Sequence, residues 1–172
     1  MAIHQQKPDP KIMQKLEDLN IDFETFNHAP FFTCADSSDL YTEHIKDNLV
    51  ANSKTLILRN KKKTNYYMVI TDCNKKIKIK SLQERINSGR LSFVSPNDLE
   101  SILEVYPGCV NPFSLIHDQD NKIDLIIDEE SLHFQHQTFH PSNNEYTIKL
   151  STDSFLKYLG ALGVKTNIIN FA

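Results

Sequence analysis

Glycine is scarce: the 172-residue chain has four. Neither GxGxxG nor GxxxxGK occurs, so a glycine-rich phosphate loop and nucleotide-driven chemistry are excluded. No apolar run approaches the ~20 residues of a membrane span. The N-terminal stretch MAIHQQKPDPK has no apolar signal core, so a cytoplasmic protein without membrane association is expected. The three cysteines, Cys34, Cys73 and Cys109, are odd in number, widely spaced and form no C-x-x-C pair. They read as free thiols in a reducing compartment. Positive charge is not in excess, with a formal net charge of -3 and a pI of about 6.1. That excludes a grip on nucleic acid by global charge but leaves room for local patches, at Lys61 to Lys63 and at Lys75, Lys76, Lys78 and Lys80. Taken alone, each cluster is better explained as a solvated hairpin tip or strand flank.

What is present is globular. Hydrophobic residues make up 40% and charged residues 24%, enough for one domain over residues 1–172 with a real core. Ile12, Leu16 and Leu19 recur at helical spacing after Pro8-Asp9-Pro10, predicting a helix over about 10–19. Ile21, Phe23 and Thr25 predict a strand, and residues 33–50 an interrupted helix. Lys54 to Arg59 and Tyr66 to Thr71 predict a hairpin around the polar tract Asn60 to Asn65. Ile77 and Ile79 suggest a short strand, and Ser81 with Glu84 a capping box opening a helix over 82–88. Ser114 to His117, Ile123 to Ile127, Leu132 to His140 and Tyr146 to Leu150 supply up to four more strands. Thr152 or Asp153 caps a last helix with Phe155, Leu156, Leu159 and Leu162 inward. Strands and helices without regular βαβ alternation indicate an α+β domain with a mixed or antiparallel sheet.

The stretch from Arg90 to Ile116 organises this pattern. Ser95-Pro96 with Asp98 opens a helix, Leu99, Ile102, Leu103 and Tyr106 share a face, and Pro107-Gly108 stops it. The turn Gly108-Cys109-Val110-Asn111-Pro112 then leaves backbone N–H groups unspent in a rigid loop that can hold a ligand.

Other constellations are weaker. On a strand, His136 and His140 share a face while His133 points away, which is poor metal geometry. No G-x-S-x-G elbow is present. Cys109 could be a nucleophile, although a small apolar side chain filling a turn is the commoner role. The acids from Asp118 to Glu130 match hairpin ends. Lys54 opens an apolar strand where a charge is costly to bury without a partner or ligand.

Five ordered stretches carry a resemblance over about residues 10–165. They are His28-Ala29-Pro30 with Phe32-Thr33; Ser53 to Arg59; Arg90 to Pro96; Pro107 to Ile116; and Phe139-His140-Pro141-Ser142-Asn143-Asn144. In this order the chain resembles the YbaK / prolyl-tRNA synthetase-associated editing domain family, particularly its free-standing ProX type. The resemblance implies an α+β fold whose sheet curls into a barrel-like core with flanking helices. It implies hydrolysis of a mischarged aminoacyl ester on tRNA(Pro), foremost Ala-tRNA(Pro), with Cys-tRNA(Pro) as the alternative within the fold and a non-catalytic tRNA- or protein-binding module as the alternative outside enzymes.

By the same resemblance the catalytic set falls on Lys54, Gly108 and His140. Substrate binding falls on Thr33, Cys109, Val110, Asn111, Pro112 and Asn144. Lys54 would meet the terminal phosphate, and His140 would line a pocket admitting alanine and excluding proline. The general base would be the ribose hydroxyl of the substrate. No metal or other cofactor is implied. The partners are the tRNA acceptor end and, among proteins, prolyl-tRNA synthetase or an elongation factor, with neither DNA nor membrane. After Asn144 the family's small Thr/Ala run reads Glu145-Tyr146-Thr147, so the bulk of Tyr146 bears on pocket size.

Overall fold

The computed structural model describes residues 7–37, 40, 45 and 49–171. The interrupted helix expected over 33–50 lies largely outside them. Helix α1 (Pro10–Asp18) starts where Asp9 accepts from the Lys11 amide at 2.9 Å, and it buries Ile12 and Leu16. Strands β1 (Phe23–Asn27), β2 (Val50–Ala51), β3 (Ser53–Asn60) and β4 (Tyr66–Asp72) follow. The β3–β4 hairpin closes as expected, with Asn60 Oδ1 accepting from the amides of Thr64 at 2.9 Å and Asn65 at 3.3 Å.

Helix α2 (Ile79–Arg85) begins three residues before the expected start, and Lys78 at its N-cap makes no side-chain cap bond. The capping box is therefore not used. Ile77 and Ile79, expected in a strand, instead pack beneath the sheet. Strand β5 (Leu91–Phe93) leads to helix α3 (Pro96–Leu103), where Ser95 Oγ accepts from the Asp98 amide at 3.2 Å. This helix ends at Glu104, which takes the left-handed conformation at φ 54°, before Pro107-Gly108 is reached.

The stretch expected as a strand after Pro112 is a 3₁₀ helix (Pro112–His117), because Asn111 Oδ1 caps the Ser114 amide at 3.1 Å and pulls the chain into a turn. Strand β6 (Ile123–Asp128) is as expected, whereas the long strand over 132–140 is only β7 (His136–Phe139), its first part being a second 3₁₀ helix (Glu129–His133). Strand β8 (Tyr146–Ser151) runs into helix α4 (Thr152–Leu162), capped by Ser151 Oγ at 3.0 Å from the Ser154 amide rather than by Thr152 or Asp153. Tyr158 takes the inward place expected of Leu156, which is exposed. Strand β9 (Thr166–Ile169) was not anticipated.

The strands pair in two mixed sheets, in the orders β1-β8-β7-β2 and β5-β3-β4-β6-β9, and the domain is α+β. The pairs β2–β7, β4–β6 and β6–β9 are parallel, the others antiparallel. Alternation assigns the faces. Met68, Ile70, Leu125 and Ile127 join Phe139, Ile148 and Leu150 of the other sheet in one core, closed by α1, α3 and α4. Leu58, Val69 and Ile126 point the other way and are covered by Leu82 of α2.

Cys34 and Cys73 form a disulfide, with Cα atoms 5.7 Å apart, which overturns the expectation of three free thiols; Cys109 is free and buried. The pair is 39 residues apart in sequence, too far for spacing to reveal it, and the fold brings the loop after β1 against the end of β4. Loop-closure entropy for that separation predicts that reduction, or Cys34→Ser with Cys73→Ser, lowers stability by about 4 kcal/mol. Urea unfolding with and without reductant checks this.

Candidate active site

A cavity of about 210 Å³ opens between the two sheets' ends. Phe31, Thr33 and Cys34 form one wall, Asn52 to Thr55 with Cys73 a second, Gly108, Val110 and Asn111 a third, and Thr138 to His140 with Thr147 the fourth. No carboxylate is among the lining residues described. Of the residues expected from the sequence, Lys54, Thr33, Gly108, Val110, Asn111 and His140 face the cavity. Cys109, Pro112 and Asn144 are buried behind it and support it.

The third wall is the turn after α3. Gly108 sits at φ 90°, a conformation that disfavours any L side chain. The Cys109 amide donates to the Tyr106 carbonyl at 3.0 Å, but the amides of Gly108, Val110 and Asn111 meet no acceptor among the described residues. The residues that carry these unspent donors line the cavity. Asn111, itself buried, holds the loop. Its Nδ2 donates to Cys109 O at 2.9 Å and to Ser142 Oγ at 3.2 Å, tying this turn to the one after β7. Burial pushes the Cys109 thiol up, outweighing its bonds to Tyr106 and to the Asn144 backbone, so it is a protonated packing group rather than a nucleophile.

Lys54 lies one residue inside β3, and its Nζ donates to Cys73 O at 3.2 Å and Lys75 O at 2.5 Å. Two protons are thereby fixed and the third is left for a ligand. Two carbonyls, not a carboxylate, hold the ammonium, so its charge is oriented without being neutralised.

His140 Nδ1 lies 3.1 Å from Tyr146 O and 3.1 Å from Thr147 Oγ1. A carbonyl only accepts, so Nδ1 carries the proton and Nε2 keeps its lone pair. By the same reasoning His28 Nδ1 donates to Ala29 O at 2.8 Å, and its Nε2 accepts from Thr147 Oγ1 at 2.7 Å. The His28 ring stacks on Phe31 at 3.7 Å. Asn144 fixes that wall by a two-way exchange, accepting from the Phe31 amide at 3.0 Å and donating to Phe31 O at 3.3 Å. Asp36 accepts from the amides of Phe32 and Thr33, each at 2.8 Å, and these bonds hold its carboxyl below the ordinary range.

Burial lowers the His140 pKa to about 4, with His28 adding repulsion, so its ring is neutral at pH 7. The unfolded chain binds this proton near pH 6.5 and the folded one near 4, so His140 contributes no pH dependence above 6.5. Stability falls as pH drops through that window, by up to roughly 3 kcal/mol from this residue. Urea midpoints at pH 7 and 4.5 should therefore diverge less in His140→Gln than in the parent.

His28, Phe31, Thr138 and Thr147 were not singled out as site residues. The signal for Thr138 was its place two residues before His140; Thr147 required the β7–β8 pairing. Thr147 rather than Tyr146 faces the cavity, so the bulk of Tyr146 does not narrow it. His133 is in the second 3₁₀ helix, and among the described residues no cluster of three His, Cys, Asp or Glu side chains could hold a metal ion.

Residues 30–158 match the aminoacyl-tRNA editing domain family. The prolyl-tRNA editing protein ProX of Acetoanaerobium sticklandii is 30% identical over 88% of this chain and 90% of its own length. The prolyl-tRNA synthetase associated domain-containing protein 1 of Mus musculus is 32% identical over 94% of this chain and 95% of its own. Among solved structures, a candidate trans-editing enzyme for prolyl-tRNA synthetase superposes with a TM-score of 0.68 over 96% of this chain and all of the other, at 12% identity. The hypothetical protein APE2540 gives 0.69 over 91% and 97%, at 18%. At those identities the superpositions speak to the fold.

Proposed function

The chain belongs to the aminoacyl-tRNA editing domain family, and from that premise we propose that it hydrolyses mischarged tRNA(Pro), foremost Ala-tRNA(Pro), to free amino acid and tRNA. The observation that carries this reading is the set of unspent amides of Gly108, Val110 and Asn111 on one wall of a cavity that Lys54 and His140 also line. An aminoacyl ester is already activated, so hydrolysis needs mainly positioning and donors aimed at the developing oxyanion, each typically worth ~3 kcal/mol.

The Lys54 ammonium takes the terminal phosphate as a point charge. The His140 lone pair accepts from the substrate's amino or hydroxyl group. The resemblance to the editing family assigns proton removal from the attacking water to the substrate's own ribose hydroxyl, and the described walls offer no carboxylate for that role. The cavity is smaller than the ~300–1,000 Å³ that holds a drug-sized ligand, which suits a small acyl group and leaves the nucleoside outside. Each methylene discriminates by only ~1–3 kcal/mol, so proline must be refused by shape at Phe31, Val110 and Phe139.

Alanyl, cysteinyl, seryl and prolyl esters of purified tRNA(Pro) test this. The alanyl ester should be cleaved fastest and the prolyl ester spared. Faster cleavage of the cysteinyl ester would replace alanine by cysteine. Salt-dependent tRNA binding with no turnover of any ester would make the protein a non-catalytic module.

A further inference from the structure

The turn that follows β4 carries both acceptors of the Lys54 ammonium, Cys73 O and Lys75 O, and it is pinned at each of those residues. At Cys73 the amide donates to Asn52 O at 2.9 Å and the sulfur is bonded to Cys34. At Lys75 the pin is ionic. Its Nζ lies 2.9 Å from Asp128 Oδ2 and 2.9 Å from Glu130 Oε2. Glu130 is more than half exposed, but the Asp128 side chain is 1% exposed, accepts from Thr71 Oγ1 at 2.9 Å, and has its other oxygen buried without a protein partner.

A carboxylate so placed is expensive to desolvate, and the Lys75 side chain that reaches it is itself only 20% exposed. What the pair does accomplish is geometric. It anchors the side chain of the residue whose own carbonyl sits 2.5 Å from Lys54 Nζ. Resting on the deacylase reading, we propose that Lys75 and Asp128 are positioning residues for Lys54, and that their ion pair fixes the carbonyl that aims the Lys54 ammonium into the cavity.

The test is a double-mutant cycle on kcat/KM for mischarged tRNA(Pro), joined to the ¹⁵Nζ resonance of Lys54. Lys75→Met should lose about tenfold, the size of an ordinary coupling between contacting groups, and less than twofold when Lys54 is already methionine. Lys75→Arg, which keeps the pair, should recover most of the loss. An equal loss in both Lys54 backgrounds would make the ion pair merely structural and overturn the proposal. Should Lys75→Met fold poorly because Asp128 is left unpaired, Lys75→Met with Asp128→Asn removes both charges and takes its place in the cycle. If the parent protein cleaves no ester, the deacylase reading fails. The proposal is then decided by the Lys54 ammonium resonance, which should shift and exchange faster in the Lys75 variant. An unchanged resonance would overturn it.

Discussion

Lys54→Met is expected to lower kcat/KM for mischarged tRNA(Pro) by about 100-fold, since a bond to a charged group contributes ~1.5–3 kcal/mol. Methionine keeps the stem that packs along β3 and removes only the ammonium. The two carbonyls it served, Cys73 O and Lys75 O, belong to a turn at the cavity's edge where water can replace it, so the thermal midpoint should change little. Arginine should not substitute, because a planar fork cannot meet two carbonyls and a phosphate from the same point. Single-turnover deacylation checks this; a loss within twofold would remove Lys54 from the chemistry.

Gly108→Ala is expected to reduce kcat by about 100-fold, comparable to the loss of one oxyanion donor. A Cβ added there meets nothing within 4 Å, so space is not the obstacle. The obstacle is φ 90°, which costs an L residue about 1–2 kcal/mol. A loop that relieves this strain rotates the peptide planes on either side and turns the Gly108 and Val110 amides away from the cavity. A drop of roughly 2–8 °C in melting temperature follows from the same strain in a chain of this size. Full activity at an unchanged melting temperature would show that the turn does not need its left-handed residue.

Legibility followed the range of the signal. Local chemistry could be read directly: Pro8-Asp9-Pro10 as a helix start, Ser95 as a cap, the polar hairpin tip at Asn60 to Asn65, and the apolar strand Ile123 to Ile127. Misreadings arose where two local signals competed. Phe113 to Ile116 is apolar enough for a strand, yet Asn111 at an N-cap position with Pro112 after it makes it 3₁₀. Pro107-Gly108 is a strong stop, but Glu104 had already ended the helix by going left-handed. In the site, the charge of Lys54 and the turn at Gly108 stood out in the string of letters, whereas His140 entered the set only through the family resemblance. Thr147, His28 and the Cys34–Cys73 bond did not stand out, since each acquires its role from a partner between 7 and 119 residues away.

The pairing of β1 with β8 has a kinetic consequence. It joins residues 23–27 to residues 146–150, so the longest-range strand pairing of the fold is also the one that brings His28 to Thr147 and Phe31 to Asn144. Closing so large a loop is slow, and the hairpin carrying Lys54 can form long before it. On the ribosome, the lysine and its hairpin would therefore stand ready while the opposite wall is still being synthesised. The cavity becomes competent only when the last quarter of the chain has docked, and a folding intermediate that exposes the Lys54 hairpin has no means of cleaving an ester.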